Sequence, residues 1–167
     1  IELERVSRDR VGQNITLSKA LGVYGGAILC SKKLRVKFAA SRMFVGSTPL
    51  PLPLAFAAGQ SLHILQRDGT LRRRLEQNST FIKSALRQAG FAFPDTPGPI
   101  VPLPFEEVRQ VARVQRALLA AEILPPLIHY PGSPANGYFR FVISSEHTQR
   151  QLENLVRALK PFAATAG

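Results

Sequence analysis

The sequence contains a single cysteine, Cys30, among its 167 residues. One cysteine cannot form an intramolecular disulfide or a cysteine-based metal site, so a disulfide-stabilised secreted scaffold is excluded and a reducing, cytoplasmic compartment is favoured. The three histidines have neither the spacing nor the neighbouring carboxylates of a metal site, so we expect no bound metal.

Long hydrophobic runs are also missing. The longest nearly uncharged stretch, residues 43–62, contains Pro49, Pro51 and Pro53, which oppose a membrane-spanning helix. No signal-peptide pattern occurs near the start, so we expect no association with a membrane. With 45% hydrophobic and 20% charged residues, the composition predicts an ordered chain of one domain or two small ones.

Acidic residues are scarce. The sequence has 11 Asp and Glu and 22 Lys and Arg, which gives a formal net charge of +11. Such a balance favours anionic partners: nucleic acid, acidic lipid, or a phosphate-bearing cofactor or substrate. The basic clusters at 32–37 and 72–74 are not interleaved with aromatic residues as a base-stacking groove requires. Nucleic acid is therefore disfavoured, although a basic nucleic-acid-binding module stays open as an alternative function.

Hydrophobic periodicity and turn residues predict an α/β chain with three segments, which span 1–66, 67–97 and 98–167. Strands are predicted at 11–16, 27–30, 100–103 and 138–143, with an extended stretch at 124–130. Helices are predicted at 32–41, from the prolines at 49–53 to 66, at 70–89, at 106–121 and at the end of the chain. Gly90 closes the helix at 70–89 as a C-cap, and the Pro- and Gly-rich segment 91–99 is the predicted boundary or hinge.

The segment 16–26 places Lys19 between the hydroxyl residues Thr16 and Ser18 and a glycine-rich turn, directly after an apolar strand. We expect this lysine to be partly desolvated, which disfavours the ammonium form and leaves a neutral amine able to attack an aldehyde. The two hydroxyls can donate to a phosphate, and the glycines allow close approach of a planar ligand. A surface lysine in a turn is the alternative.

Residues 16–25 resemble the lysine signature of the class II aminotransferase group, which depends on pyridoxal 5'-phosphate (PLP). The signature reads threonine, apolar, small, lysine, small, apolar, small, two free positions and small, and every specified position is met here. The Ser/Thr-rich turn at 46–51 and the segment 140–148 are similar to further regions of the group. The nearest subgroup is the α-oxoamine synthases, which include 8-amino-7-oxononanoate synthase of biotin biosynthesis and glycine C-acetyltransferase.

This resemblance implies a homodimeric acyltransferase that condenses an amino acid with an acyl-CoA and releases carbon dioxide. It implies that Lys19 holds PLP as a Schiff base and removes the substrate Cα proton, and that Thr16 and Ser18 bind the cofactor. It also implies that Ser47 and Thr48 reach the cofactor phosphate of the neighbouring subunit; capping of the following helix is an equal alternative for these two. An aminotransferase of the same fold is the nearest alternative activity.

Arg140 lies in the predicted strand 138–143, in which Phe139, Phe141 and Ile143 face one way and Arg140 faces the other. A guanidinium on a half-buried strand needs an anion, and a carboxylate can satisfy it in bidentate geometry. The resemblance implies that this arginine binds the α-carboxylate of the amino-acid substrate. An internal ion pair is the alternative.

Upstream of Lys19 the sequence lacks three components of the family's active site. These are the aspartate for the pyridine nitrogen, the ring-stacking aromatic or histidine, and the glycine-rich phosphate turn; Asp9 is too close to Lys19 to be that aspartate. We therefore expect the C-terminal portion of a fold-type I PLP-dependent transferase, with the end of the large-domain sheet and a small α+β domain. Alone it is expected to be weakly active or an inactive truncated fragment.

Overall fold

The computed structural model describes residues 11–165, which belong to two compact units that divide between Asp68 and Gly69. The first ten residues of the predicted segment 1–66, Asp9 among them, and the last two of 98–167 lie outside the described residues. The helix predicted within 67–97 belongs to the second unit, because its Ile82 and Leu86 are fully buried in that unit's core.

The first unit begins with a two-stranded antiparallel hairpin formed by β1 (Gln13–Thr16) and β2 (Gly26–Leu29). Backbone hydrogen bonds fix the connecting loop: the Leu17 N–H donates to the Gly25 carbonyl at 2.9 Å, and the Val23 N–H donates to the Leu17 carbonyl at 3.0 Å. Leu17 and Val23 are also buried. The loop that carries Lys19 is therefore held in one conformation by its own backbone and by two apolar side chains.

Three helices complete the first unit: α1 (Lys32–Ala39), α2 (Arg42–Val45) and α3 (Leu52–Arg67). Ser31 and Ser41 precede α1 and α2, and each hydroxyl accepts a hydrogen bond from a backbone N–H of the first turn. α3 starts after Pro51 without a side-chain cap, and Pro53 occupies its first turn, where a missing N–H breaks no helical bond. None of the three helices contains a buried residue.

The second unit is a three-stranded antiparallel sheet with helices packed on one face. Its elements are α4 (Gly69–Gln88), β3 (Ile100–Pro104), α5 (Val108–Ala120), β4 (Leu127–Ile128), β5 (Tyr138–Val142), α6 (Gln149–Leu159) and a 3-10 helix (Lys160–Thr165). β5 lies between β3 and β4. Leu86, Leu118 and Leu159, one from each helix, are fully buried with Phe139 of β5, so the core lies between the helices and one face of the sheet.

The end of α4 is a Schellman motif. Gly90 has a φ of +105°, its N–H donates to the Arg87 carbonyl at 2.9 Å, and the Phe91 N–H donates to the Leu86 carbonyl at 3.0 Å. The predicted C-cap role of Gly90 is confirmed. The helix ends here and the chain turns into segment 91–99. This segment belongs to the second unit.

Two prolines end the pairing between β4 and β5. The Arg140 N–H donates to the Pro126 carbonyl at 2.9 Å, but Pro125 and Pro126 have no N–H to donate back to β5. β4 is therefore only two residues long, shorter than the extended stretch predicted at 124–130. Within residues 11–165, no helix combines the length and the apolar character needed to cross a bilayer.

Candidate active site

The loop after β1 brings two hydroxyl groups together next to Lys19. The Thr16 Oγ1 and Ser18 Oγ atoms are 2.7 Å apart, and the Ser18 N–H donates to Thr16 Oγ1 at 3.2 Å. This local turn, in which a threonine oxygen accepts from the N–H two residues later, fixes both side chains. The two hydroxyls therefore form a pair of polar groups beside the lysine, as the sequence predicts.

Lys19 itself is exposed in this structure, so the expected partial desolvation is wrong for this chain. Its neighbours Ser18 and Ala20 are exposed as well, and the hairpin of β1 and β2 has no third strand among the described residues. Nothing in the described portion of the chain therefore covers the amine. The same exposure leaves it accessible, and no described carboxylate forms an ion pair with it.

Glycine and α3 hold the Lys19 loop in place. Gly25 has a φ of +128°, and a Cβ added to it would lie 2.9 Å from Leu50 Cδ1. A side chain at this position is therefore strained by the backbone conformation, and the Leu50 side chain would have to shift to make room for it. On the other side, the Ser61 hydroxyl of α3 donates to the Leu21 carbonyl at 3.0 Å. The loop that presents Lys19 is thus packed against the segment that follows Thr48 and against α3.

Ser47 and Thr48 differ in their bonding. The Ser47 hydroxyl donates to the Phe44 carbonyl at 2.8 Å, at the end of α2. The suggested capping of the following helix is wrong for Ser47, because α3 has no side-chain cap and Ser47 bonds backward along the chain. Thr48 is exposed, and its hydroxyl makes no hydrogen bond within the described residues. Of the two, Thr48 has the hydroxyl that is available to a ligand.

Arg140 belongs to the second unit, whereas Thr16, Ser18 and Lys19 belong to the first. Along β5 the side chains of Phe139 and Phe141 are buried while that of Arg140 is half-buried, so the predicted division of faces is confirmed. Its guanidinium forms no ion pair with any described carboxylate. The internal ion pair suggested as an alternative therefore has no partner among residues 11–165.

Arg140 lines a concavity of about 980 Å³ between β5 and α6. Arg150 and Arg157 of α6 line it as well, and the sequence patterns above did not single them out. Their separation of seven residues places both on one face of a helix, and this spacing is the signal that could have found them. Glu122 also lines the concavity, so three arginines and one carboxylate leave it with a net positive charge that suits an anion.

His147 borders the same concavity but has a structural role. Its Nδ1 accepts the Ser144 N–H at 3.1 Å, and the Asn78 amide donates to the carbonyls of Ser144 and His147 at 2.9 and 3.0 Å. These bonds fix the turn before α6 to α4.

Comparison with known proteins assigns the chain to a family. The model of the family described as aminotransferase class I and II matches residues 14–159. The chain belongs to this family. Over 149 residues it is 34% identical to 8-amino-7-oxononanoate synthase of Xylella fastidiosa strain M12, a match that covers 88% of this chain and 37% of the relative. The predicted resemblance to the α-oxoamine synthases is confirmed.

Solved structures of the same family share the fold. A structure of SPT with PLP superposes with a TM-score of 0.77 at 25% identity, over 91% of this chain and 39% of that chain. The serine palmitoyltransferase of Sphingomonas wittichii gives a TM-score of 0.76 at 25% identity, with the same coverage. The predicted fold, a portion of a fold-type I PLP-dependent transferase, is confirmed, and the chain spans about two fifths of the length of these relatives.

Proposed function

We propose that this chain carries the cofactor lysine and the substrate-carboxylate site of a PLP-dependent acyltransferase similar to 8-amino-7-oxononanoate synthase. The proposed reaction joins an amino acid to an acyl-CoA. A bond forms between the amino-acid Cα and the acyl carbon, the thioester C–S bond breaks to release the CoA thiol, and the Cα–carboxylate bond breaks to release carbon dioxide. A single observation carries the proposal: an ordered loop presents Lys19 beside the Thr16 and Ser18 hydroxyls.

The groups in this loop fit two ends of the cofactor. Lys19 supplies the primary amine that an aldehyde requires, and the Thr16 and Ser18 hydroxyls, 2.7 Å apart, can donate to a phosphate. When bound, PLP supplies the electron sink for removal of the Cα proton. Lys19 Nζ is the group we assign to accept that proton, because its amine is free of described ion pairs.

Arg140 is assigned to the substrate. A guanidinium offers a planar fork of donors that matches a carboxylate, and Arg140 lines the concavity beside α6 and has no described carboxylate partner. An amino acid held there by its carboxylate is fixed in orientation as well as in position. Arg140 therefore has a positioning role and removes no proton.

The remaining assignments concern the homodimer, the substrates and the cellular location. We assign Thr48, and with it Ser47, to the cofactor phosphate of a second subunit in a homodimer, with Ser47 first releasing its bond to the Phe44 carbonyl. The relatives' names, 8-amino-7-oxononanoate synthase and serine palmitoyltransferase, support an amino acid and an acyl-CoA as substrates. The single cysteine supports a cytoplasmic location.

Borohydride trapping tests the proposed role of Lys19. The full chain is incubated with PLP, reduced, digested and analysed by mass spectrometry. We expect the pyridoxyl group predominantly on the peptide that contains Lys19, because the neighbouring hydroxyls retain the phosphate. Lys19→Ala should abolish this label, and Thr16→Val should lower its yield severalfold.

The matched control is Lys33→Ala, which removes an exposed lysine of α1 outside the loop. This variant should label at Lys19 as the parent chain does. Label spread evenly over Lys19 and the lysines of α1 would contradict the proposal, since an unspecific amine reaction needs no hydroxyl pair.

A further inference from the structure

The side of α5 that faces away from the core carries three arginines. The apolar side chains that face the core recur at helical spacing and are buried; they are Val111, Val114 and Leu118. On the opposite side lies what we call the basic stripe, which consists of Arg109, Arg113 and Arg116. These arginines are separated by four and three residues, so they follow one line along the helix, and all three are exposed. The basic stripe is about 10 Å long.

The charges of the basic stripe are not neutralised within the described part of the chain. None of its arginines forms an ion pair with a described carboxylate, and α5 itself contains no acidic residue. Glu106 and Glu107 immediately precede the helix and pair with none of the three. On α4, by contrast, Arg74 pairs with Glu146 at 2.6 Å. Like charges four residues apart repel, so the basic stripe destabilises its own helix unless an external anion binds.

Exposed apolar side chains lie beside the basic stripe. Val108 is 68% exposed and Leu119 is 58% exposed, and the exposed Ala112 lies between them. These residues are separated by four and seven positions, which places them on one line that runs alongside the arginines. We call these three residues the apolar flank. α5 therefore presents to solvent a row of cations and a parallel row of apolar side chains.

We propose that this side of α5 binds the surface of an anionic lipid bilayer. The guanidinium groups lie at the level of the lipid phosphates, where their donors pair with phosphate oxygens. The apolar flank enters the boundary between the head groups and the acyl chains. We expected no membrane association because a spanning segment and a signal peptide are missing, but a helix that lies flat on the interface needs neither. This proposal is independent of the cofactor role of Lys19.

Two other occupants suit this surface less well. A nucleic-acid strand would cover the cations, but base stacking uses aromatic side chains, and α5 contains none. It would also leave Val108 and Leu119 beside a charged backbone. A second copy of the same surface would place arginine against arginine. A bilayer is the partner that accommodates the cations and the apolar side chains together.

Sedimentation of the full chain with lipid vesicles tests the proposal. We expect binding to vesicles of equimolar phosphatidylglycerol and phosphatidylcholine, and weaker binding at high salt, because salt screens the attraction between arginine and phosphate. Vesicles of phosphatidylcholine alone should not retain the chain. Equal binding to the two kinds of vesicle would overturn the proposal.

A double variant tests the basic stripe. Arg109→Gln combined with Arg116→Gln removes two charges and keeps Arg113, whose guanidinium carbon lies 5.7 Å from an aromatic ring centroid. The vesicle partition coefficient should fall about thirtyfold, the factor for two cations near an anionic surface. Arg72→Gln combined with Arg73→Gln is the matched control, because it removes the same charge from exposed positions of α4 and should have little effect. Equal losses in the two double variants would overturn the proposal, since net charge alone would then explain the binding.

Leu119→Gln tests the apolar flank. It should lower the partition coefficient about tenfold at both low and high salt, because the burial of an apolar side chain is not screened by ions. Met43→Gln is the control, since Met43 is 88% exposed in the first unit and should not contribute. Unchanged vesicle binding in Leu119→Gln, together with retention on single-stranded DNA that requires Arg109 and Arg116, would overturn the lipid assignment in favour of a nucleic-acid strand.

Discussion

Gly25 shows how one residue fixes the loop that presents Lys19. Its φ of +128° is a conformation that side chains rarely adopt, and Leu50 Cδ1 would be 2.9 Å from a Cβ at this position. The carbonyl of Gly25 also accepts the Leu17 N–H, which continues the hairpin into the loop. The position is thus restricted by backbone conformation, by packing and by a hydrogen bond at once.

We therefore predict that Gly25→Ala lowers the local stability of the Lys19 loop by about 1–3 kcal/mol, the usual cost of a strained backbone position. Hydrogen exchange at the Leu17 and Val23 amides measures it, since both donate within the loop. Gly59→Ala is the matched control, because Gly59 lies in α3 with nothing within 4 Å of an added Cβ. Unchanged exchange at both amides in Gly25→Ala would contradict this account.

At the residue scale, the sequence predicted which residues form the candidate site, but it did not predict the solvent exposure of Lys19. Thr16, Ser18 and Lys19 could be identified because their types and spacing are local properties of the chain. The exposure of Lys19 depends on which other segments pack against the hairpin, and a local sequence pattern does not predict that packing. The bond from Ser47 to the Phe44 carbonyl was missed for a different reason, since a serine in a turn can cap the helix before it or after it.

At the element scale, α6 is defined by both its cap and its core face. The Thr148 hydroxyl accepts the Gln151 N–H at 3.3 Å, while the Gln151 side chain accepts the Thr148 N–H at 2.9 Å, which is a capping box. Leu152, Leu155 and Leu159 follow at helical spacing and are buried. The start of α6 and its packing are thus specified by neighbouring residues of the same segment.

Thr148→Ala should accordingly destabilise the second unit by about 1 kcal/mol, the typical value for loss of an N-cap side chain. Urea unfolding followed by circular dichroism measures the change. Thr148→Ser retains the hydroxyl and should restore most of the lost stability. Equal loss in the alanine and serine variants would show that the methyl group, and not the cap, is responsible.

Most elements were predictable because their signals are local. Ser31 before α1, the proline-rich start of α3, Gly90 after α4 and the alternation along β5 each mark a structure within a few residues. The role of 91–99 was not predictable in this way. Prolines and glycines predict a break in regular secondary structure, but they do not predict whether that break lies between two units or within one unit.

At the scale of the whole molecule, the two units differ in how much apolar surface they bury. Among the described residues the first unit buries only two hydrophobic side chains, Leu17 and Val23, whereas the core of the second contains seventeen. Large apolar side chains of the first unit remain exposed, among them Met43 at 88% and Leu52 at 81%. Because burial of apolar surface is the main source of stability, the second unit is the more stable one.

Limited proteolysis of the full chain should therefore cut the first unit well before the second. We expect a resistant fragment that begins near Gly69, identified by mass spectrometry. Leu86→Ala, which removes a fully buried side chain, should make that fragment sensitive too. Cleavage of both units at equal rates in the parent chain would refute the difference in stability.

Lys83 of α4 contrasts with Lys19 in what its amine contacts. Only 8% of Lys83 is exposed, and its Nζ donates to the carbonyls of Thr96 and Gly98 at 2.6 and 2.7 Å. Acylating reagents reach a lysine amine only after it leaves such partners. Modification of Lys83 will therefore report the moment at which segment 91–99 detaches from α4, while Lys19 reacts at the surface throughout.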